Sequence, residues 1–216
     1  NISKEVREKL KQDFSFYTIK MLIKQQGKNV NKYIFELEDG NKIESVLMFH
    51  DYGTSICVSS QVGCNMTCAF CESGRLKKVR NLLAYEIVQQ ILQIEEDINK
   101  RITHVVLMGI GEPFDNYDNV LRFVKIINCG KGIDIGSRHI TISTCGVIPG
   151  IKKFMNEEGQ VNLAISLHAP NDTLRSRIKP INKANSLNEL METIKEYINK
   201  TNRRVTFECI MLEYVN

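Results

Sequence analysis

Apolar and polar positions along the chain fall into two regimes. Up to about residue 53 the sequence is lysine-rich. There ISKEVREKLKQDF predicts a short helix, and KYIFELEDG followed by NKIESVLMFH predicts a hairpin turned at Asp39-Gly40-Asn41. Beyond it the pattern becomes regular. The β-branched run SICVSS precedes LLAYEIVQQILQIEEDI, whose apolar residues recur at three- and four-residue intervals, as on one face of a helix. HVVLMG, RHITIS, VNLAISLH and RVTFECIML predict four more strands. YDNVLRFVKIIN, GVIPGIKKFMNEE and SLNELMETIKEYINK predict the helices between them, the last opened by a serine at its N-cap.

Strands alternating with amphipathic helices predict an α/β fold with a parallel sheet, because the crossover helices cover its faces. A doubly wound sheet and a TIM-type barrel both satisfy the alternation, and both gather ligands at the carboxyl ends of the strands. The segments QVGCNMTCAFC, GIGEP, STCG and HAPND fall at those ends. The expected division is an N-terminal extension over 1–53 and a core over 54–216.

Composition changes this picture little. The chain has 216 residues, 25% charged and 43% hydrophobic, enough for one sizeable core. A net charge of +4 permits nucleic-acid contact without arguing for it. No run reaches the apolar length of a membrane span, and no signal-peptide pattern opens the sequence. Seven cysteines, three of them clustered, suit a reducing cytosol with a metal site better than a disulfide framework.

That cluster is Cys64, Cys68 and Cys71, spaced C-x3-C-x2-C. A structural zinc site normally closes a shell of four ligands, so zinc here would need His50 or His104 as the fourth. Three unliganded core thiols are a second reading. An iron–sulfur cluster on three thiolates is a third, and it leaves one iron open to a small molecule.

With Phe70 before the third cysteine and GIGEP downstream, the triplet resembles the radical-SAM superfamily signature. The segments CVSSQVGCNMTCAFC, RNLLAYEIVQQI, VVLMGIGEPFDNYDNV, HITISTCGVIPGI and LAISLHAPNDTLRSRIKPIN are further similar, in sequence and order, to the RlmN/Cfr family. The resemblance implies a partial (βα)6 TIM-like barrel with a small N-terminal extension and with the C-terminal end of the barrel missing. It implies a 4Fe-4S cluster on Cys64, Cys68 and Cys71. It also implies S-adenosylmethionine contacted by Gly111, Glu112, Ser143, Ser166, Leu167 and His168.

The activity implied is methylation of an adenosine of large-subunit ribosomal RNA, with transfer RNA as a further substrate. The partner implied for reduction is an electron donor such as flavodoxin; the setting is cytoplasmic, with no membrane. In the family a methyl-carrying cysteine near the C-terminus forms a transient disulfide with a resolving cysteine, the position of Cys57, and Glu44 matches the proton acceptor. Arg75, Lys77, Lys78 and Arg80 are candidates for the RNA backbone. Pro113, Asn116 and Asn119 look closer to the branch that methylates adenosine C2 than to the Cfr-like branch that methylates C8. A non-catalytic, zinc-stabilised RNA-binding domain is the alternative of another class. Because Asn1 is not a methionine and none of the remaining cysteines, Cys129, Cys145 and Cys209, stands in for the methyl carrier, the chain is expected to be a fragment. Such a fragment binds the cofactors without completing methyl transfer.

Overall fold

The computed structural model describes residues 2–15 and 17–215. Helix α1 (Lys4–Asp13) comes first, its N-terminus capped by Ser3 Oγ, which accepts from the Val6 amide. Strands β1 (Lys20–Gln26), β2 (Val30–Glu36) and β3 (Lys42–His50) follow, paired antiparallel in that order. Along β2 and β3 buried positions alternate with part-exposed ones, as the sequence predicts. Their turn passes through Gly40 at φ +79°, and Asn41 N–H donates to Asp39 Oδ1 at 3.0 Å. Strand β1 carries no readable pattern. KMLIKQQ is an edge strand exposed along nearly its whole length, with Met21 partly buried against the core.

The regular series begins at β4 (Gly53–Cys57). A two-stranded ribbon, β5 (Gln61–Val62) with β6 (Arg80–Asn81), then brackets the cysteine loop. After it come α2 (Ala84–Ile98), β7 (His104–Leu107), α3 (Tyr117–Asn128), β8 (Ile140–Thr144) and α4 (Ile148–Phe154). The remaining elements are β9 (Asn162–Ser166), α5 (Asp172–Ile178), α6 (Leu187–Thr201) and β10 (Val205–Glu208). The main sheet has the order β1-β2-β3-β4-β7-β8-β9-β10, parallel from β4 to β10.

That order decides between the two architectures the sequence left open. A doubly wound sheet reverses its strand order at a switch point. Here each parallel strand lies beside its successor, so right-handed crossovers carry all the helices to one face, as in a barrel. The sheet stays open, with β1 and β10 at its edges, and is a partial TIM-like barrel. The extension contributes β1 to β3 to this same sheet, β3 pairing with β4 from Val46–Cys57 to His50–Gly53.

Between sheet and helices lies the core. Ile56, Val105, Ile140, Ile142, Leu163 and Ile165 meet Ile87, Ile91, Phe123, Ile151 and Ile194, all nearly inaccessible to water. Helix α6 opens on the expected serine: Ser186 Oγ accepts from the Glu189 amide while the Glu189 carboxylate accepts from Ser186 N–H. Helix α5 was not readable, because it is seven residues long and buries Arg175 beside Ile178 instead of an apolar stripe. Strand β10 ends at Glu208, one residue short of Cys209, which lies exposed outside it.

Candidate functional site

The lead-in VSSQ turns over the sheet edge and is held on every side. Ser60 and Gln61 N–H both donate to the Ile110 carbonyl, at 2.9 and 3.1 Å. The Gln90 side chain, buried in α2, accepts from Ser59 N–H and donates to Ser59 O, and the Asn116 amide donates to Ser60 O and Leu82 O. Gly63 then sits at φ +73°, where a Cβ would lie 2.1 Å from the Lys77 carbonyl, so only glycine lets the chain enter the loop. Within the loop Cys64 N–H donates to Leu76 O, Cys71 N–H to Cys68 O, and Ala69 N–H to Ile178 O at the end of α5.

This loop lies over the carboxyl ends of β7 to β10 and borders a half-open cavity of about 240 Å³. Cys64, Cys68, Cys71, Gly111, Glu112, Ser143, Ser166 and His168 line it together. Larger grooves run between the helices on the outer face, but no cysteine or histidine lines them. Leu167 is the cofactor candidate that lies outside the cavity lining: its side chain packs against the core while its amide donates to the Glu208 carbonyl.

Glu112 is 3% exposed, with one carboxylate oxygen accepting from Phe114 N–H at 3.0 Å and the other from Cys145 N–H at 2.8 Å. Gly111 precedes it at φ +109°, packed against Gln61. Across the cavity, Glu208 Oε2 accepts from both Ser143 Oγ (2.9 Å) and Ser166 Oγ (2.8 Å). Burial pushes the Cys64 thiol up to about 11, helped by the Glu112 carboxylate and the other two thiols. Burial raises Cys68 as well, against the opposing pull of Lys179. Metal binding at these positions therefore releases protons.

His168 stands at φ +62°, its Nδ1 accepting from Ile210 N–H at 3.0 Å and its ring edge-on to Phe70 at 4.6 Å. Burial first, then the cations Lys179 and Arg175, lower its pKa to about 4. The imidazole is thus neutral near pH 7. Between pH 6.5 and 4 the unfolded chain takes up this proton and the folded chain resists it. His168 therefore contributes stability that is complete above pH 6.5 and is lost as pH falls toward 4. Urea titrations are expected to show a loss on the order of 2–3 kcal/mol across that window, largely absent in His168→Gln.

Cys57, the last residue of β4, lies on the concave face away from the helices. It pairs with Val46, two residues along β3 from Glu44 on the same face. Burial pushes its thiol to about 11, with Glu44 and Glu208 adding to the rise. Glu44 itself holds Lys32 at 2.6 Å. Of the four candidate RNA cations, Lys78 pairs with Asp115 at 2.7 Å, and Arg80 spans Asp39 and Glu86. Arg75 and Lys77 are exposed, Arg75 with a loose pair to Glu72 at 3.4 Å.

The zinc reading loses its fourth ligand. His50 and His104 lie at the opposite end of the parallel strands, in a ring ladder with Tyr52 and His139. Among the described residues no three His, Cys, Asp or Glu side chains converge on one ion position. Spread thiols around a cavity are what a multi-iron cluster requires, since each thiolate binds a different corner. Three titratable residues of the cavity wall carried no assignment from sequence: Cys145, Lys179 and Glu208. Glu208 was reachable in principle, as the carboxyl end of the fifth parallel strand. Lys179 was not, since nothing in RIKP marks a lysine as buried.

Comparison with known proteins agrees with this geometry. Residues 58–216 match the family model described as the Radical SAM superfamily. A probable dual-specificity RNA methyltransferase RlmN of Spiroplasma citri is 56% identical over 220 residues, which is 100% of this chain and 64% of that protein. The protein of the same name from Listeria welshimeri is 54% identical over 222 residues, covering 100% of this chain and 60% of its own length. A crystal structure of a radical SAM methyltransferase from Sphaerobacter thermophilus superposes with a TM-score of 0.93 at 39% identity, over all of this chain and 64% of that one. The chain thus spans about three fifths of the length of the curated relatives it matches. A family model covering most of the chain, a partial barrel and three spread thiols at its carboxyl edge agree: the chain belongs to the radical SAM superfamily, whose cofactors are a 4Fe-4S cluster and S-adenosylmethionine.

Proposed function

We propose that the chain is the radical-SAM core of an RNA methyltransferase that methylates C2 of an adenosine in large-subunit ribosomal RNA, and of transfer RNA as well. The observation that carries this reading is the 54–56% identity, along the whole chain, to proteins named dual-specificity RNA methyltransferases RlmN. When bound, the cluster and S-adenosylmethionine supply one-electron chemistry suited to an aromatic amidine carbon too weakly nucleophilic for direct displacement.

The chain's own residues bind and orient. Cys64, Cys68 and Cys71 hold the cluster. The open backbone at Gly111, the carboxylate of Glu112, the hydroxyls of Ser143 and Ser166, and neutral His168 shape the place of S-adenosylmethionine, with Leu167 backing them. Glu44 accepts the proton that leaves the adenine ring. Cys57 forms a disulfide with a methyl-carrying cysteine outside these residues and so releases the product. Both face the concave side of the sheet, which matches a shared substrate space. On this reading the enzyme works in the cytoplasm with an electron donor such as flavodoxin. No helix among the described residues is long and apolar enough to cross a membrane.

Arg75 and Lys77 are the cations left for phosphate. Replacing each by alanine in the full-length protein is expected to weaken RNA binding alike across sequences and to lower the salt slope by about 1 per residue. Lys78→Ala and Arg80→Ala are expected to act on stability instead. The reaction itself is tested by mass spectrometry of digested RNA treated with the full-length protein. 2-Methyladenosine supports the proposal; 8-methyladenosine assigns the Cfr-like branch, and an unmodified adenosine pool refutes both.

A further inference from the structure

Lys179 is buried in the cavity wall and Arg175 lies behind that wall, and no carboxylate stands within ion-pair distance of either among the described residues. Lys179 and Arg175 are both 0% exposed, and among the described residues neither makes an ion pair. Arg175 donates to the Cys145 carbonyl at 2.7 Å and to Asn182 Oδ1 at 2.6 Å, and its buried Nε has no partner. Lys179 lines the cavity, its Nζ donating to the Ser166 carbonyl. An ammonium has three protons to donate, so two remain for the cavity side. A buried charge without a counter-charge is costly and is not retained for packing alone.

The position of Lys179 is fixed against the cysteine loop. Its amide donates to Arg175 O at 2.6 Å, Pro180 ends the helix behind it, and the neighbouring Ile178 carbonyl accepts from Ala69 N–H, one residue after Cys68. Lys179 lies within electrostatic range of the Cys145 and Cys68 sulfurs and, more weakly, of Glu112, whose two carboxylate oxygens are already taken by backbone amides; Arg175 feels the same sulfurs and Asp172. No carboxylate pairs with Lys179 at contact distance, and a thiolate-ligated cluster would supply that charge on the cavity side. Its negative charge grows by one electron when a donor reduces it.

We propose that Lys179, backed by Arg175, is a positioning residue whose ammonium stabilises the reduced, more negative state of a cluster held by Cys64, Cys68 and Cys71, and so raises its reduction potential. The inference rests on the cluster reading of the site. No bond forms or breaks at Lys179: the electron enters the cluster from the reductant, and the ammonium keeps its proton.

The test is a dithionite titration of anaerobically reconstituted full-length protein, monitored by electron paramagnetic resonance without S-adenosylmethionine. The variants are K179M, K179Q and K179R. Methionine is close in volume and is expected to fold and to bind iron as the wild type does. K179M and K179Q are expected to make reduction about tenfold less favourable, ~59 mV for a one-electron couple; K179R is expected to restore most of the shift. An unchanged potential in K179M with full iron content overturns the inference. A shift in K179M but not K179Q does so too, since glutamine keeps a donor for Ser166 without charge. If K179M fails to hold iron, the K179Q potential decides. An unchanged potential with weakened S-adenosylmethionine binding assigns Lys179 to that ligand and overturns the inference. Wild-type protein that takes up no iron overturns the cluster reading itself.

Discussion

Full-length protein carrying Cys68→Ser is expected to lose nearly all bound iron and sulfide after anaerobic reconstitution, and with them the visible absorbance of the cluster. The reason is coordination number. On the proposed reading three thiolates are the protein's contribution to the cluster, and although His168, Glu112 and Glu208 line the same cavity, among the described residues no three His, Cys, Asp or Glu side chains converge on one ion position. Cluster assembly also requires Cys64 and Cys68 to lose protons that burial makes them hold, and Cys64 at about 11 is the clearer case. Two thiolates cannot meet that cost. Cys145→Ser is the informative control. Cys145 lies in the same wall, buried, but its amide is engaged by Glu112 and its carbonyl by Arg175, just past the end of β8 and not in the cysteine loop. It is expected to leave iron content within about twofold of wild type. Iron and sulfide assays on the two variants separate ligand from wall.

The second large effect is at Glu112. Each of its carboxylate oxygens satisfies a buried backbone amide, Phe114 at the start of one turn and Cys145 at the end of β8. Glu112→Ala leaves both donors unpaired beside a cavity. Hydrogen bonds to a charged group contribute ~1.5–3 kcal/mol each, and a buried orphan donor costs about as much. A loss of about 2–4 kcal/mol in urea unfolding is expected. Glu112→Gln retains one acceptor and is expected to recover roughly half of that loss. Because both tethers shape the cavity between the second and third parallel strands, S-adenosylmethionine binding by Glu112→Ala is expected to fall at least about tenfold.

Much of the fold was legible because its elements obey one rule each. Strands such as VNLAISLH are continuous apolar runs, and α2, α3 and α6 carry one clear apolar face. Strand β1 and helix α5 obey neither rule. The first is exposed at every position but Met21, and the second is built around a buried arginine. The choice between barrel and doubly wound sheet depended on strand order, which no local pattern encodes.

The site followed a similar division. Loop residues at strand ends were found by position, and eight of the nine cluster and cofactor candidates do line one cavity, Leu167 alone lying outside its lining. The polar framework behind them was invisible. Gln90, Asn116 and Lys179 act through tertiary contacts 13 to 56 residues away, and a buried lysine or glutamine has the same letter as a surface one. The basic run GRLKKVR shows the reverse failure. Four neighbouring cations look equivalent in sequence, yet Lys78 and Arg80 are held in close, part-buried ion pairs and Arg75 in a loose exposed one.

The central claim is that three cysteines leave one iron open for S-adenosylmethionine. The most direct measurement is the electron paramagnetic resonance spectrum of the reconstituted, dithionite-reduced full-length protein before and after S-adenosylmethionine is added. An open iron gives a cluster signal whose shape changes when the ligand chelates it. A colourless, zinc-loaded protein, or a cluster signal indifferent to S-adenosylmethionine, contradicts the claim.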